Sequence, residues 1–197
     1  MQQLAFDPVS HIYTLDGVIL PSVTQIMKPL SSHKYATVKE DVLKRAAERG
    51  KGVHAAIELH ALAGIEDCEQ EGQPYFDAYL KWFHKEKPVI QKTESATWHK
   101  TLMYAGTVDL IAEINGKRTL IDFKTTAALN DMLTTVQLEA YQRALQSHGI
   151  AVEDKAILLL KRDGTYTFKR YPVNDLEAWR VFNALLTIRA YIKKYGG

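Results

Sequence analysis

Asp109, Asp122 and Lys124 are the residues of this chain whose types and spacing point to chemistry. Asn115-Gly116 is the kind of pair a two-residue type I′ hairpin favours, because both loop positions need a positive φ. With that pair as the loop, Ile114 faces Lys117, Glu113 faces Arg118, and counting back along the ladder sets Asp109 opposite Asp122. Side chains alternate along a strand, so Asp109, Ile111 and Glu113 share a face with Arg118, Leu120, Asp122 and Lys124. Glu113 opposite Arg118 is an ordinary cross-strand ion pair, whereas two acids directly opposed destabilise a hairpin. Val108, Leu110, Ile121 and Phe123 around them mark the interior of a sheet. A divalent cation would convert the repulsion into coordination, since hard cations take carboxylate oxygens. Lys124, two residues on and on the same face, reaches whatever that cation binds. Asp-x-Lys by itself is a common chance pattern; the opposed acid and the apolar flanks set this one apart.

These residues need a frame. His11–Asp16 and Val18–Leu20 flank a Gly and read as a small hairpin. Pro21-Ser22-Val23-Thr24 reads as a helix start capped by Ser22 or Thr24. A helical region runs from Val38 to Ala63 through Gly50 and Gly52, each costing a helix about 1 kcal/mol relative to Ala. After an acidic loop, Gly64 to Gly72, a second helix covers Tyr75 to Lys85. The period then changes, and Ala96–Met103, Val108–Ile114 and Arg118–Lys124 read as strands. Met132–His148 is helical, Ala156–Leu160 is a strand buried on both faces, and Asp163-Gly164 turns the chain into a strand over Thr165–Tyr171. Asn174, with Glu177 three residues later, forms a capping box. It opens a last helix reaching Lys194, with Leu176, Trp179, Phe182, Leu186 and Ile192 turned inward. The order predicts a mixed α/β domain with one central sheet.

Two helical stripes carry polar residues that a plain core would not. His54, Ile57, Glu58 and Ala61 share one helical face. A lone His on such a stripe is more often a satisfied core histidine than a ligand. Glu58 is open to three readings: a second metal ligand, a partner for the other nitrogen of His54, or a surface acid. Gln137 and Tyr141 lie one turn apart beside Leu133, Ala140 and Ala144, where an inward amide needs hydrogen-bond partners. Ser22 and Thr24 can bond a phosphate, although capping accounts for them more simply. Trp82, Phe83, Trp98 and Tyr104 could stack bases, with core packing the simpler account.

Composition bounds the rest. The 197 residues suit one domain, with 46% hydrophobic and 24% charged residues, as in an ordinary globular protein. Cys68 is the only cysteine, which excludes an internal disulfide, a four-cysteine iron–sulfur cluster and a cysteine-built zinc site. The start, Met1 to Phe6, lacks the basic and apolar stretches of a secretory signal, and no run is long enough to span a membrane. The chain therefore reads as cytoplasmic. Nine basic residues from Lys155 onward stand against three acids, so that segment carries +6; with a net charge of +2, the remainder carries −4. A basic end beside an acidic centre suits a protein that grips phosphates and holds metal.

Three stretches in order, Gly106-Thr107-Val108-Asp109, Ile121-Asp122-Phe123-Lys124-Thr125 and Gln137-x-x-x-Tyr141, resemble the signature of the PD-(D/E)xK nucleases of the RecB type. The one departure is Val for Pro before Asp109. Leu20–Thr24, Gly50–His54 and Lys161–Gly164 extend the resemblance to the mitochondrial genome-maintenance exonucleases and their phage-type relatives, from about Leu20 to the last helix and weakest between Ile65 and Gln91. The resemblance implies a restriction-endonuclease-like core (αβββαβ, a central mixed sheet flanked by helices) filling the chain as one domain. Residues 1–37 form a hairpin and short helix packed on it. It implies an exonuclease acting on DNA with free ends, single-stranded or duplex, through one or two Mg2+ or Mn2+ ions. Asp109, Asp122, the backbone carbonyl of Phe123 and His54 hold the ions, Glu58 being a further candidate. Lys124 orients or deprotonates the attacking water, and Gln137 and Tyr141 support the site and contact the strand. Thr125, Ser22 and Thr24 are further candidates for DNA contact. The resemblance also suggests a bacterial or phage-infected setting, with room for a recombination or single-strand-binding partner. A structure-selective endonuclease such as a resolvase, or a DNA-binding protein without catalysis, are the alternatives. Polarity, strand preference and oligomeric state stay open.

Overall fold

A strand covered on both faces has no polar side to keep wet, so it reads as an unbroken apolar run. In the computed structural model, which describes residues 2–196, the run Ala156–Leu160 lies inside such a strand, β7 (Asp154–Leu160). It belongs to a five-stranded sheet ordered β4-β5-β6-β7-β8, with β4 Val89–Trp98, β5 Ala105–Ile114, β6 Lys117–Lys124 and β8 Tyr166–Tyr171. Only the β6–β7 pairing is parallel. A parallel neighbour needs a crossover, and α5 (Asp131–Ser147) supplies it.

Helices cover both faces. On one, α3 (Glu40–Ala63) and α4 (Gln73–Glu86) bury Val53, Ile57, Phe76, Tyr79 and Trp82 against Leu110, Ile121, Phe123 and Leu158. On the other, α1 (Val23–Ile26), α5 and α6 (Leu176–Tyr195) bury Val23, Ile26, Leu138, Tyr141 and Phe182 against Val108, Ile111, Leu120 and Ile157. A short α2 (Lys28–Lys34) follows α1. A separate antiparallel sheet, β1 (Leu4–Asp7), β2 (Ile12–Leu15) and β3 (Val18–Leu20), packs Tyr13, Leu15 and Leu20 against Trp98 and Ala105. This is the αβββαβ arrangement expected of a restriction-endonuclease-like core, in a single mixed α/β domain.

Several predicted elements shift. β1 is additional to the expected hairpin. β4 covers Val89–Trp98 rather than Ala96–Met103. It is an edge strand with a bulge between Ile90 and Lys92, which breaks the alternation that would have revealed it. α3 runs unbroken through Gly50 and Gly52, held by its packed face rather than by local propensity. The cap of α6 is Asp175, whose side chain accepts the Ala178 N–H at 3.0 Å. Asn174 has φ +56°, unlike the extended backbone of an N-cap, and its Oδ1 accepts from Gln142 and Gln146 instead. Leu176 and Ile192, expected inside, are 61% and 60% exposed; α6 is held by Ala178 and Phe182, with Trp179, Leu185 and Leu186 packed partly against the core.

Candidate active site

The β5–β6 hairpin turns at Asn115 and Gly116, with φ +52° and +74°. Its ladder runs from Ile114↔Lys117 to Leu110↔Ile121 and stops one step before Asp109 would face Asp122. Instead of continuing the pairing, Asp109 turns its own carboxylate onto the neighbouring strand: the Phe123 N–H donates to Asp109 Oδ2 at 2.7 Å. The acids thus sit where β5 and β6 part, buried at 8% and 2% exposure. Asp122 Oδ2 is buried and ion-paired with Lys124 Nζ at 2.6 Å. A carboxylate held by a single ammonium keeps lone pairs for a further ligand.

Across β4 and β5, Ser95 pairs with Val108 and Thr93 with Leu110, so Glu94 lies beside Asp109. Glu94 has φ +40°, a strained backbone for a non-glycine residue in a strand, and its carboxylate reaches His54 Nδ1 at 3.2 Å. The same nitrogen is 3.8 Å from Asp109 Oδ2. His54 stands on α3 between the buried Val53 and Ile57, its ring edge-on to Phe123 at 5.6 Å. One ligand atom from each of His54, Glu94 and Asp109 lie within 4.8 Å of one another. Burial works against charge on the imidazole, but Asp109, Glu94 and Asp122 outweigh it and hold its pKa up to about 9. Burial, with Asp122 and Glu94 adding to it, pushes the Asp109 carboxyl well above its ordinary value, His54 opposing. A nitrogen, two close carboxylates and the buried carboxylate of Asp122 nearby form a donor set that fits a hard divalent cation.

The predicted supporting residues divide. Lys124 Nζ donates to Gln137 Oε1 at 3.0 Å, and Gln137 Nε2 donates to the Tyr141 hydroxyl at 3.3 Å, so α5 carries a polar relay into the site. Phe123 contributes a buried ring to the core, 2% exposed. Thr125 is buried, and its carbonyl accepts from Arg49 at 3.3 Å. Glu58 is half-buried and outside the metal-ligating group, although the charge of Glu94 reaches it. Ser22 is spent on its capping box with Gln25 and on Thr24 Oγ1 at 3.0 Å, and Thr24 is exposed. Glu94 is not among the residues expected from sequence, because it lies before Ala96 in a strand that begins at Val89. An acid in an edge strand that also breaks alternation carries no periodic signal.

The family model of the PD-(D/E)XK nuclease superfamily matches residues 30–184. The mitochondrial genome maintenance exonuclease 1 of Mus musculus is 25% identical over 201 residues, covering 89% of this chain and 60% of that protein. The chain therefore spans 60% of the length of this relative. Among solved structures, the alkaline exonuclease LHK-Exo of Laribacter hongkongensis superposes with a TM-score of 0.44 at 12% identity, over 74% of this chain and 84% of that one. SSO0001 gives a TM-score of 0.44 at 17% identity, over 85% and 74%.

Proposed function

The chain belongs to the PD-(D/E)XK nuclease superfamily, and from that membership we propose that it is a metal-dependent deoxyribonuclease that removes nucleotides from free DNA ends. The observation that carries the reading is the convergence of His54, Glu94 and Asp109 near the buried ion pair of Asp122 and Lys124. Asp109 bridges the two halves of this donor set, because its Oδ2 faces His54 while also fixing the β6 backbone at Phe123. The Phe123 carbonyl is a further ligand in this reading. Mg2+ or Mn2+ held there supplies Lewis acidity, which makes water a better nucleophile and offsets charge developing on the phosphate.

Lys124 has three N–H donors. One goes to Gln137 and one faces Asp122, which leaves one for the attacking water or a phosphate oxygen. Burial opposes its charge, but Asp122 and Asp109 outweigh that and keep the ammonium charged. Lys124 in that state orients the water and neutralises charge on the phosphate. The water oxygen bonds to phosphorus as the P–O bond to the leaving sugar oxygen breaks; the water gives up a proton to solvent and the departing sugar oxygen takes one back, leaving a phosphate monoester and a sugar hydroxyl. Gln137 and Tyr141 fix the direction of the ammonium and border the path of the strand. Exonuclease is favoured over endonuclease by the relationship to exonuclease relatives.

The test is cleavage of end-labelled linear and closed circular DNA, single- and double-stranded, with Mg2+, Mn2+ or EDTA. Metal-dependent loss of label from linear DNA with circles left intact is expected, and Lys124→Ala should slow it by about 100- to 1,000-fold while still binding DNA. Cut circles would make the enzyme an endonuclease. Binding without cleavage in either metal would remove the catalytic reading.

A further inference from the structure

The stretch Gly106–Asp109 is the half of β5 that has lost a neighbour. On one side β4 pairs with it through Ala96↔Thr107 and Thr97↔Gly106, but on the other the β6 ladder ends at Leu110↔Ile121. The N-terminal segment takes over where β6 leaves. Ser22 bridges Ala105 in parallel, and the Ala105 N–H donates to the Pro21 carbonyl at 2.9 Å. From the same segment, the Tyr13 hydroxyl forms a hydrogen bond with Thr107 Oγ1 at 2.8 Å.

Tyr13 is built to hold that bond. It is 2% exposed, stacked on Phe6 at 4.5 Å, and its strand is paired on both sides, to Phe6 and Leu20. Thr107 is two residues before Asp109, so the two side chains leave the same face of β5. Burial raises the Tyr13 phenol above its ordinary value, the Thr107 hydrogen bond opposing and the charges of Glu94 and Asp109 adding to it, so the hydroxyl stays neutral. The family match begins at Leu30, so nothing in that match accounts for Tyr13.

We propose that Tyr13 is a positioning residue of the acid cluster: through Thr107 it fixes the stretch of β5, laddered on one side only, that delivers Asp109 to Glu94 and His54. This rests on the metal-dependent reading of that cluster. The hairpin β1–β3 is then part of the catalytic architecture. With β4 on one side only, this stretch has more freedom to shift than a strand paired on both sides, and Asp109 would move with it. Partners bonded directly to a metal ligand commonly alter affinity about 10- to 100-fold when removed, and Tyr13, acting through Thr107 and the β5 backbone, belongs at the lower end of that range.

The experiment measures Mn2+ affinity of the DNA-free protein by EPR or calorimetry, with thermal midpoint as the control, for wild type, Tyr13→Phe, Thr107→Val, Thr107→Ser and the Tyr13→Phe/Thr107→Val double variant. Tyr13→Phe and Thr107→Val should each weaken Mn2+ binding roughly tenfold at a nearly unchanged midpoint and an unchanged KM for DNA. Thr107→Ser should bind as wild type does, and the double variant should be no worse than either single one, because both remove one bond. Wild-type affinity in the two single variants, or losses that add, overturns the proposal and leaves the nuclease reading standing. If Tyr13→Phe does not fold, the contrast between Thr107→Val and Thr107→Ser decides it. A wild type that binds no Mn2+ overturns both.

Discussion

Gly106 has no side chain because Tyr141 occupies the place where one would be. A Cβ there would stand 2.6 Å from Tyr141 Cε1 and 3.3 Å from Val23 Cγ2, and a ring wedged between a strand and α1 has little room to yield. Gly106→Ala is therefore an overpacking change, expected to cost about 1–3 kcal/mol in a denaturant titration. It should also cut cleavage, because moving the ring draws the hydroxyl away from Gln137, which steers Lys124. Full stability with full activity would show that Tyr141 has another place to go. A second contrast separates the two candidate glutamates. Glu94→Gln removes a carboxylate from the ligating group and should weaken metal binding and cleavage by roughly 10- to 100-fold. Glu58→Gln, outside that group, should stay near wild type. Equal losses in metal-titrated cleavage assays would restore Glu58 as a ligand.

At the scale of elements, α5 is fastened to β7 and to the start of α6 by one buried acid. Glu139, fully buried, pairs with the equally buried Lys155 of β7, takes Arg143 at 2.8 Å and accepts the Asp175 N–H at 3.0 Å. Glu139→Gln would strand the Lys155 ammonium without its counter-charge, at a cost of about 3–5 kcal/mol. The double change Glu139→Met with Lys155→Met should recover much of that in a urea titration. A Glu139→Gln midpoint equal to the wild type's would mean that Lys155 sheds its proton cheaply. The sequence shows the surrounding elements well for a physical reason. Asn115-Gly116 demands two positive φ values, and Val108–Ile114 and Ala156–Leu160 carry strong strand patterns, so hairpin, register and buried strand are local facts. β4 and the α6 cap are not local facts. Glu94 sits in a bulged edge strand whose path is set by β5, and Asn174 is drawn into a left-handed turn by Gln142 and Gln146 on another helix. The same division holds in the site: Asp109, Asp122 and Lys124 follow from one hairpin, whereas Glu94 and Tyr13 join them only through tertiary pairing.

Over the whole molecule, the excess positive charge after Lys155 is not one uniform surface. Lys155, Lys169 and Arg170 are committed to Glu139, Asp131 and Asp154. Arg189 and Lys193 line a groove of about 410 Å3 beside Lys28 and Pro29 of α2. Lys161 and Arg162 stand apart from both groups. They follow β7 at the end of the sheet where Lys124 pairs with Leu159, in a turn closed by the Gly164 N–H donating to the Lys161 carbonyl at 3.0 Å. Lys81 of α4 donates to the Gly164 carbonyl at 2.7 Å, which ties the turn to the helix layer that carries His54. The turn lies at the same end of the sheet as Lys124, so a strand whose phosphate sits at Lys124 and runs toward β7 would meet these two cations. Each phosphate neutralised by a cation releases counterions, so the salt dependence of binding reports how many are engaged. Lys161→Glu with Arg162→Glu should weaken DNA binding and lower the slope of log K against log salt by roughly one per lost contact. Arg189→Glu with Lys193→Glu, of equal charge change, should leave the slope nearly intact. Fluorescence anisotropy with the metal replaced by Ca2+, across a salt series, reads both. If the second pair moves the slope as much as the first, the strand runs over α6 rather than past the β7–β8 turn.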